Sequence, residues 1–268
     1  MKDYAIAERI LYRLIKKHIA GTTMSSAIEK AKELNGKKLP VSIGFLSENA
    51  SDSAKARYAT TTYLELIRRI SRMGLKASVQ VPLSQIGIDI SDGIADRNMK
   101  DIVSTANKHG VFVWIEMQHE FRIPKFLQDA KGIGYAVSVK DSEAYLRRNN
   151  DYIRSLKVLC SERDGVPAAD GKKMSKTLRA ATKIVKNAVL QSVPENAIKE
   201  LLNGNASKKF LIFEFQLGYS SKKISSMVKR GMKTSIYVPF GKDWKHYAVT
   251  RSPGKYSRFL ATRILKET

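Results

Sequence analysis

The sequence predicts a (βα)8 barrel of the TIM type, preceded by two helices and closed by a C-terminal helix. From residue 41 onward, short β-branched or aromatic runs alternate with longer segments of helical period, and eight such units follow one another. The runs are continuously apolar instead of alternating, as strands of a parallel sheet covered by helices require. Repeated right-handed crossovers close such a sheet into a barrel, and an open doubly wound sheet is the alternative.

Two helical patterns come before the first strand. The first covers 3–19 and places one set of apolar residues on one face: Ile6, Ile10, Leu11 and Leu14. The second covers 23–34, where TTMSSAIE offers cap residues before an apolar run. These patterns predict two N-terminal helices outside the barrel.

The eight units follow in order. The predicted strands are 41–46, 76–82, 111–117, 134–140, 153–160, 188–193, 209–216 and 233–240. The predicted helices are 53–73, 94–109, 122–130, 141–150, 172–187, 194–204, 220–231 and 255–267. After the last strand, Gly241-Lys242-Asp243 predicts a turn into a short helix that Pro253 ends.

The length and the apolar content favour one domain. A chain of 268 residues that is 43% apolar can bury a large core, and barrels of this class reach this size as one unit. We expect a single domain over 1–268, with N-terminal helices in 1–37, the barrel in 38–251 and the C-terminal helix in 252–268.

The sequence contains no run of 18 apolar residues, and charges interrupt the apolar positions of the N-terminus, so neither a spanning helix nor a secretory signal is predicted. We therefore expect a cytoplasmic protein, with a peripheral position at the membrane as the alternative. The single cysteine, Cys160, excludes an internal disulfide, and its apolar run predicts a buried, inert thiol.

The charge is strongly unbalanced. Forty-eight lysines and arginines against 25 acidic residues give a formal net charge of +23. Such a field attracts nucleic acid, anionic lipid headgroups or a phosphate-bearing cofactor, and a merely solvated basic surface is the alternative.

One basic stripe stands out in the predicted helix 172–187. Spacings of four and three residues place five cations on one helical face: Lys172, Lys176, Arg179, Lys183 and Lys186. The stripe is a candidate polyanion-binding surface for nucleic acid or anionic lipid, or a solvated outer face. Glu116, His119 and Glu120 follow the third strand but are interpreted as solvated loop residues, so no metal site is predicted.

The last two units carry a resemblance. KFLIFEFQLGYSSKKISSMVKRGMKTSIYVPFGKDWKHY (209–247) resembles the seventh and eighth units of the proline dehydrogenase family, flavin-dependent barrels that oxidise L-proline to pyrroline-5-carboxylate. Upstream, LSQIGID, GVFVWIEMQ, GYAVSV and IRSLKVLC resemble the second to fifth units in order and spacing. The resemblance covers roughly residues 23 to 251.

The resemblance implies a site at the carboxyl ends of the strands. It implies FAD as cofactor, with Arg154 and Lys157 matching the fifth-strand cations near the isoalloxazine ring, and Glu214 and Gln216 as further contacts. For the substrate it implies four residues: Glu116 at the third-strand carboxylate, Tyr237 on the proline ring, and Tyr247 and Arg251 on the helix that covers the substrate. An amino-acid substrate and a quinone acceptor are the implied partners.

Several positions differ from the family's pattern. A second-strand lysine is Pro82, a fourth-strand glutamine is Ser138, a sixth-strand histidine is Val193, and the tyrosine after the fifth strand is Cys160. In the closing helix, one arginine of an adjacent pair is Thr250 and a glutamate is Gly254. The competing hypothesis is therefore a catalytically silent barrel that binds a polyanion through its basic helices.

Overall fold

The eight predicted strands form a closed parallel barrel in the computed structural model. It describes residues 9–13, 15–117, 123–128, 130–138, 141–149, 151–160, 175, 178–179, 185, 187–203 and 211–251, without the side chains of residues 246 and 249–251. The strands pair in chain order, and β8 returns to β1 with Tyr237 opposite Ser42. The predicted fold class is confirmed.

The strands lie close to their predicted positions. They are β1 (Val41–Phe45), β2 (Ala77–Pro82), β3 (Phe112–Glu116), β4 (Ile133–Ser138), β5 (Ser155–Leu159), β6 (Asn187–Gln191), β7 (Leu211–Gln216) and β8 (Lys233–Phe240). Each begins within two residues of its predicted start. Their outward faces pack against the helices in one apolar layer, in which Ile43, Val113 and Leu190 are fully buried.

The described α-helices lie before, between and after these strands. They are α1 (Met24–Gly36), α2 (Ser53–Arg72), α3 (Asp92–His109), α4 (Ser142–Asn149), α5 (Glu195–Asn203), α6 (Ser221–Lys229) and α7 (Trp244–Arg251). Side-chain caps begin the first three: Thr23, Asp52 and Ser91 each accept a hydrogen bond from a first-turn backbone N–H.

The predicted helix at 122–130 is wrong for the described residues 123–128. They contain one 3-10 turn, Lys125–Leu127, after Pro124. Pro124 disfavours helical geometry at Ile123, and β4 begins at Ile133, so few residues remain for an α-helix. In the predicted helix 172–187, residues 175, 178 and 179 are helical. Val185 is not helical and Asn187 already begins β6, so the end of this predicted helix is wrong. The remaining positions of the range, and the predicted helix 255–267, lie outside the described residues.

A helical segment at residues 9–13 and 15, called the N-terminal helix below, packs against α7. Leu11, Ile15 and Ile19 are buried in a small cluster with Trp244 and Ala248. Ile10 is 43% exposed, so its expected position on the buried face is wrong; the buried face contains Ile15 instead. The N-terminal segment therefore supports the helix that follows the last strand. No helix among the described residues is long and apolar enough to span a bilayer.

Candidate active site

The carboxyl-terminal opening of the barrel, called the mouth below, is lined by the last residues of several strands. These residues are half-buried and face the opening: Pro82, Glu116, Ser138, Leu159 and Gln216. In barrels of this class, chemistry is located at this end because the strand-to-helix loops supply residues from all eight units. Glu116 and Gln216, two of the predicted site residues, lie here.

Directly below the mouth, Lys157 of β5 is buried inside the barrel. Its Nζ lies 2.9 Å from Oε1 of Glu214, 2.9 Å from Oγ of Ser42 and 3.1 Å from Oε1 of Gln80. An ammonium has three N–H donors, so these three acceptors use all of them. The ammonium also lies 5.0 Å from the centre of the Trp114 ring.

Burial lowers the pKa of Lys157 below its ordinary value, while the negative charges of Glu214 and Glu116 oppose this change. Glu214 has further partners: Oε1 accepts from Nε2 of Gln191 at 2.7 Å and Oε2 accepts from Oγ of Ser235 at 3.2 Å. Lys157 and Glu214 were both predicted as flavin contacts, and the structure brings them together as a buried ion pair.

Gln80 connects this ion pair to the mouth. Its side-chain oxygen accepts from Lys157, and its Nε2 donates to Oε2 of Glu116 at 2.7 Å. The Glu116 carboxylate is therefore oriented by an amide that is itself fixed by a buried cation. A hydrogen-bonded path runs from Glu214 through Lys157 and Gln80 to the half-buried carboxylate at the end of β3.

A second polar contact attaches α7 to the mouth. The hydroxyl of Tyr247 donates to Oε1 of Gln216 at 2.7 Å, and Nε2 of Gln216 donates to Oγ of Ser192 at 2.8 Å. Both Tyr247 and Gln216 were predicted site residues. Arg251 ends α7 four residues later, one helical turn from Tyr247, and its side chain lies outside the described residues.

Tyr237 of β8 is buried and lies over β1. A Cβ placed on Gly44 would collide with its phenol hydroxyl. Glycine at this position therefore leaves the space that the Tyr237 ring occupies. The ring of Tyr237, which was predicted to bind the substrate, therefore packs on the neighbouring strand β1.

Arg154 lies elsewhere. It precedes the first residue of β5 and is exposed, at the amino-terminal end of the barrel. Lys157 is three residues away and points inward. Arg154 lies before the strand and Lys157 lies within it, so the two cations occupy different levels of the barrel. The structure does not bring Arg154 to the mouth.

Of the five residues in the predicted polyanion-binding stripe, Arg179 is the one that lies among the described residues. Arg179 is half-buried, and its Nη2 donates to the backbone carbonyl of Glu200 near the end of α5. This contact connects two helices. Lys172, Lys176, Lys183 and Lys186 lie outside the described residues.

The polar residues that complete the interior network were not predicted. They are Ser42, Gln80, Gln191 and Ser235. Gln80 alternates with the outward-facing Val79 and Val81, and this alternation was the signal that could have identified it. Cys160 is buried as expected. The described residues contain no group of three or more side chains suited to hold a metal ion.

The chain is therefore a closed parallel (βα)8 barrel of the TIM type, with polar residues at its mouth. The helix α7 is hydrogen-bonded to one of these residues, Gln216. No family model matches the chain. It is 27% identical to proline dehydrogenase 2 of Bacillus subtilis over 263 residues, covering 88% of this chain and 84% of the relative. It is also 27% identical to proline dehydrogenase 1 of the same organism over 285 residues, covering 94% and 91%.

Solved structures give the same result for the fold. Proline utilization A from Bdellovibrio bacteriovorus superposes with a TM-score of 0.70 at 15% identity, over 95% of this chain and 34% of that one. The chain thus spans about a third of that larger protein. Together these comparisons show that the chain is similar in sequence to proline dehydrogenases over most of its length and shares the barrel fold found in proline utilization A.

Proposed function

We propose that this chain binds L-proline or a similar imino acid at the mouth, as a proline dehydrogenase-like protein. The observation that carries the proposal is the hydrogen bond from Tyr247 to Gln216, because it attaches α7 to the mouth beside the ends of the strands. A helix held there is suited to cover a small ligand and exclude water from it.

The proposed roles follow from the chemistry of the residues. The carboxylate of Glu116, held by Gln80, is suited to pair with the cationic ring nitrogen of an imino acid. The ring of Tyr237 offers an apolar face to the pyrrolidine carbons. Arg251, by resemblance, would pair with the ligand carboxylate.

The likeness to proline dehydrogenases implies a flavin in general, and FAD is the form proposed here, with a quinone as electron acceptor. Of the four predicted flavin residues, Gln216 lies at the mouth, but the positions of Arg154, Lys157 and Glu214 do not fit a flavin bound there. Arg154 lies at the opposite end of the barrel. The polar atoms of Lys157 and Glu214 hydrogen-bond to each other and to neighbouring side chains. No redox step is therefore assigned to these residues.

Calorimetric titration of L-proline tests the proposed binding. We expect saturable binding with a Kd of about 1 mM or lower, which corresponds to about −4.1 kcal/mol or better. Glu116→Gln should weaken it, whereas Glu143→Gln, on the exposed face of α4, should not. Absence of saturable binding to the wild type, both with and without added FAD, would contradict the proposal.

A flavin titration tests the cofactor separately. FAD affinity, followed by flavin absorbance on the folded protein, should be the same for the wild type and for a Lys157→Met, Glu214→Gln double variant. A tenfold loss of FAD affinity in a folded double variant would show that Lys157 and Glu214 separate from each other and contact the cofactor.

A further inference from the structure

Gln80 of β2 lies between two groups of opposite charge. It is 3% exposed, its Oε1 accepts from Nζ of Lys157 at 3.1 Å, and its Nε2 donates to Oε2 of Glu116 at 2.7 Å. A side-chain amide carries both an acceptor and donors, so it can bind a cation and an anion at the same time. An ionised carboxylate at this position would offer no donor to Glu116, and an apolar side chain would offer neither group.

The buried ammonium of Lys157 fixes the direction of this amide. A reversed amide would place its NH2 group against Lys157 and its oxygen against the carboxylate of Glu116, and both contacts would be repulsive. Such repulsion is strong where water is excluded. Lys157 is itself held by Glu214 and Ser42, each at 2.9 Å. The NH2 group of Gln80 is therefore directed towards the end of β3.

The donor for Glu116 comes from below the rim of the mouth. In the pairing of β2 with β3, Pro82 lies opposite Glu116, and Gln80 lies opposite Trp114. Pro82 has no side-chain donor, so the β2 residue beside Glu116 cannot hold its carboxylate. Gln80 lies two residues earlier on the same face of the strand and reaches the carboxylate instead. The contact therefore joins the mouth to the interior of the barrel.

The path from the interior to the mouth carries one net negative charge. It contains the carboxylates of Glu214 and Glu116 and the ammonium of Lys157. Burial lowers the pKa of Lys157, and the charges of Glu214 and Glu116 oppose that change. Burial raises the pKa of Tyr63, and the charge of Glu116 adds to this effect. A ligand cation at the mouth would balance the negative charge.

We propose that Gln80 is a positioning residue that couples the buried ion pair to the mouth. Through the Gln80 amide, Lys157 sets the place of the Glu116 carboxylate, and that place determines how tightly a cationic ring nitrogen binds. The effect on affinity rests on the proposed binding of an imino acid. The coupling itself concerns the chain alone, since Gln80 touches no ligand and acts through Glu116.

Calorimetric titration of L-proline compares two equal substitutions in this network. Gln80→Met should weaken L-proline binding about tenfold, near the lower end of what a hydrogen bond to a charged group contributes. Gln191→Met is the matched control, because it also removes an amide from the buried network, at Glu214, and leaves the contact between Gln80 and Glu116 in place. It should leave the affinity nearly unchanged. Equal losses in the two variants would overturn the proposal.

Gln80→Glu separates position from charge. The new carboxyl group still accepts from Lys157, so the fold should be kept even if Gln80→Met loses it. When ionised, the new side chain repels Glu116 and offers it no donor. When protonated, it can donate an O–H to Glu116 as the amide does. Two adjacent carboxyl groups tend to share one proton, which raises the pKa of one of them.

The pH profile of L-proline binding reads out this difference. Relative to the wild type, Gln80→Glu should bind weakly at about pH 9 and recover towards about pH 6, whereas Gln80→Met should stay weak at both. An added negative charge without a positioning effect would instead strengthen the binding of a cation. A Gln80→Glu protein that binds more tightly than the wild type at the higher pH, or shows no recovery, would overturn the proposal.

The coupling also predicts that losses along the path do not add. A Lys157→Met, Glu214→Gln variant removes the cation that directs the amide and should weaken L-proline binding. Adding Gln80→Met to it should give no weaker binding than Gln80→Met alone, because both changes act through the same contact. Additive losses would show that the ion pair and Gln80 act separately and would overturn the coupling.

A measurement without ligand keeps this proposal apart from the proposed function. In isotope-labelled protein, the side-chain amide signal of Gln80 should lie downfield because of its bond to a carboxylate. Glu116→Gln and the Lys157→Met, Glu214→Gln variant should both move this signal, whereas Glu143→Gln should not. A wild type that shows these shifts but binds no L-proline would overturn the proposed ligand and support the coupling. An unmoved signal in a protein that binds L-proline would overturn the coupling alone.

Discussion

The ammonium of Lys157 lies 2.9 Å from Oε1 of Glu214, and both side chains are almost fully excluded from solvent. Desolvation of two charges costs several kcal/mol per ion, which only close pairing and further hydrogen bonds offset. Ser42, Gln80, Gln191 and Ser235 provide those hydrogen bonds. The ion pair therefore acts as a polar core of the barrel that also fixes the carboxylate at the mouth.

Removal of Lys157 alone should be strongly destabilising. Lys157→Met leaves the Glu214 carboxylate buried without a cation, and we expect the free energy of unfolding to fall by about 3–5 kcal/mol. Adding Glu214→Gln removes the uncompensated charge and should restore a large part of this loss. Denaturant unfolding of both variants measures the difference.

The control is an exposed ion pair. Arg147 and Glu143 lie one turn apart on α4, and Arg147→Ala should change the free energy of unfolding by about 0.5 kcal/mol or less. A similarly small effect of Lys157→Met would contradict the view that the Lys157–Glu214 pair is isolated from solvent.

The buried phenol of Tyr63 should make stability depend on alkaline pH. Its hydroxyl donates to Oε1 of Gln85 at 2.5 Å, and burial, together with the charge of Glu116, raises its pKa well above 10.0. Above pH 10.0 the unfolded phenol ionises while the folded one keeps its proton. The stabilisation is thus complete below this pH and is lost as the pH rises.

Tyr63→Phe should reduce this pH dependence. The slope of unfolding free energy against pH above pH 10.0 should become shallower by up to about 1.4 kcal/mol per pH unit. Denaturant unfolding at a series of alkaline pH values checks it. Tyr58→Phe, at a ring that is 63% exposed, is the control and should leave the slope unchanged. Identical slopes for the wild type and Tyr63→Phe would contradict the prediction.

The fold could be predicted because apolar runs and helical periods alternate through the chain. Apolar continuity identified all eight strands, since their outward-facing residues are buried in one apolar layer. The segment before β4 could not be predicted by period, because Pro124 and the short distance to Ile133 decide its conformation. Local geometry overrides periodicity there.

The site was less predictable, because partners across the barrel are distant in sequence. Glu214 and Ser42 are 57 and 115 residues from Lys157, and no local pattern indicates that all three meet. The position of Arg154 depends on where β5 begins, and the apolar pattern placed that start two residues too early. The assignment of Arg154 and Lys157 to one flavin ring came from resemblance alone.

The hydroxyl of Tyr247 should matter for the position of α7. Tyr247→Phe removes the hydrogen bond to Gln216, whose net value is about 0.5–1.5 kcal/mol, so proline affinity should fall about 2- to 10-fold. Hydrogen exchange of the α7 amides should also become faster. Tyr219→Phe, which removes a phenol bond to Glu195 on α5, is the matched control and should change neither. Unchanged proline affinity and exchange in Tyr247→Phe would show that α7 is held by its apolar contacts with the N-terminal helix.

A methyl group on Gly44 should displace the Tyr237 ring. The Cβ of Gly44→Ala would overlap the phenol hydroxyl, and the ring cannot move far because it is enclosed between β8 and β1. Such overpacking costs about 1–3 kcal/mol of stability. Since Tyr237 is proposed to contact the ligand, proline affinity should fall in parallel.

Gly36→Ala in α1, where the added Cβ has no neighbour within 4 Å, is the control and should leave stability and proline affinity unchanged or raise stability slightly. A Gly44→Ala protein that loses stability but binds proline normally would place the ligand away from Tyr237, while loss of affinity at nearly normal stability would support the proposed mouth site most directly.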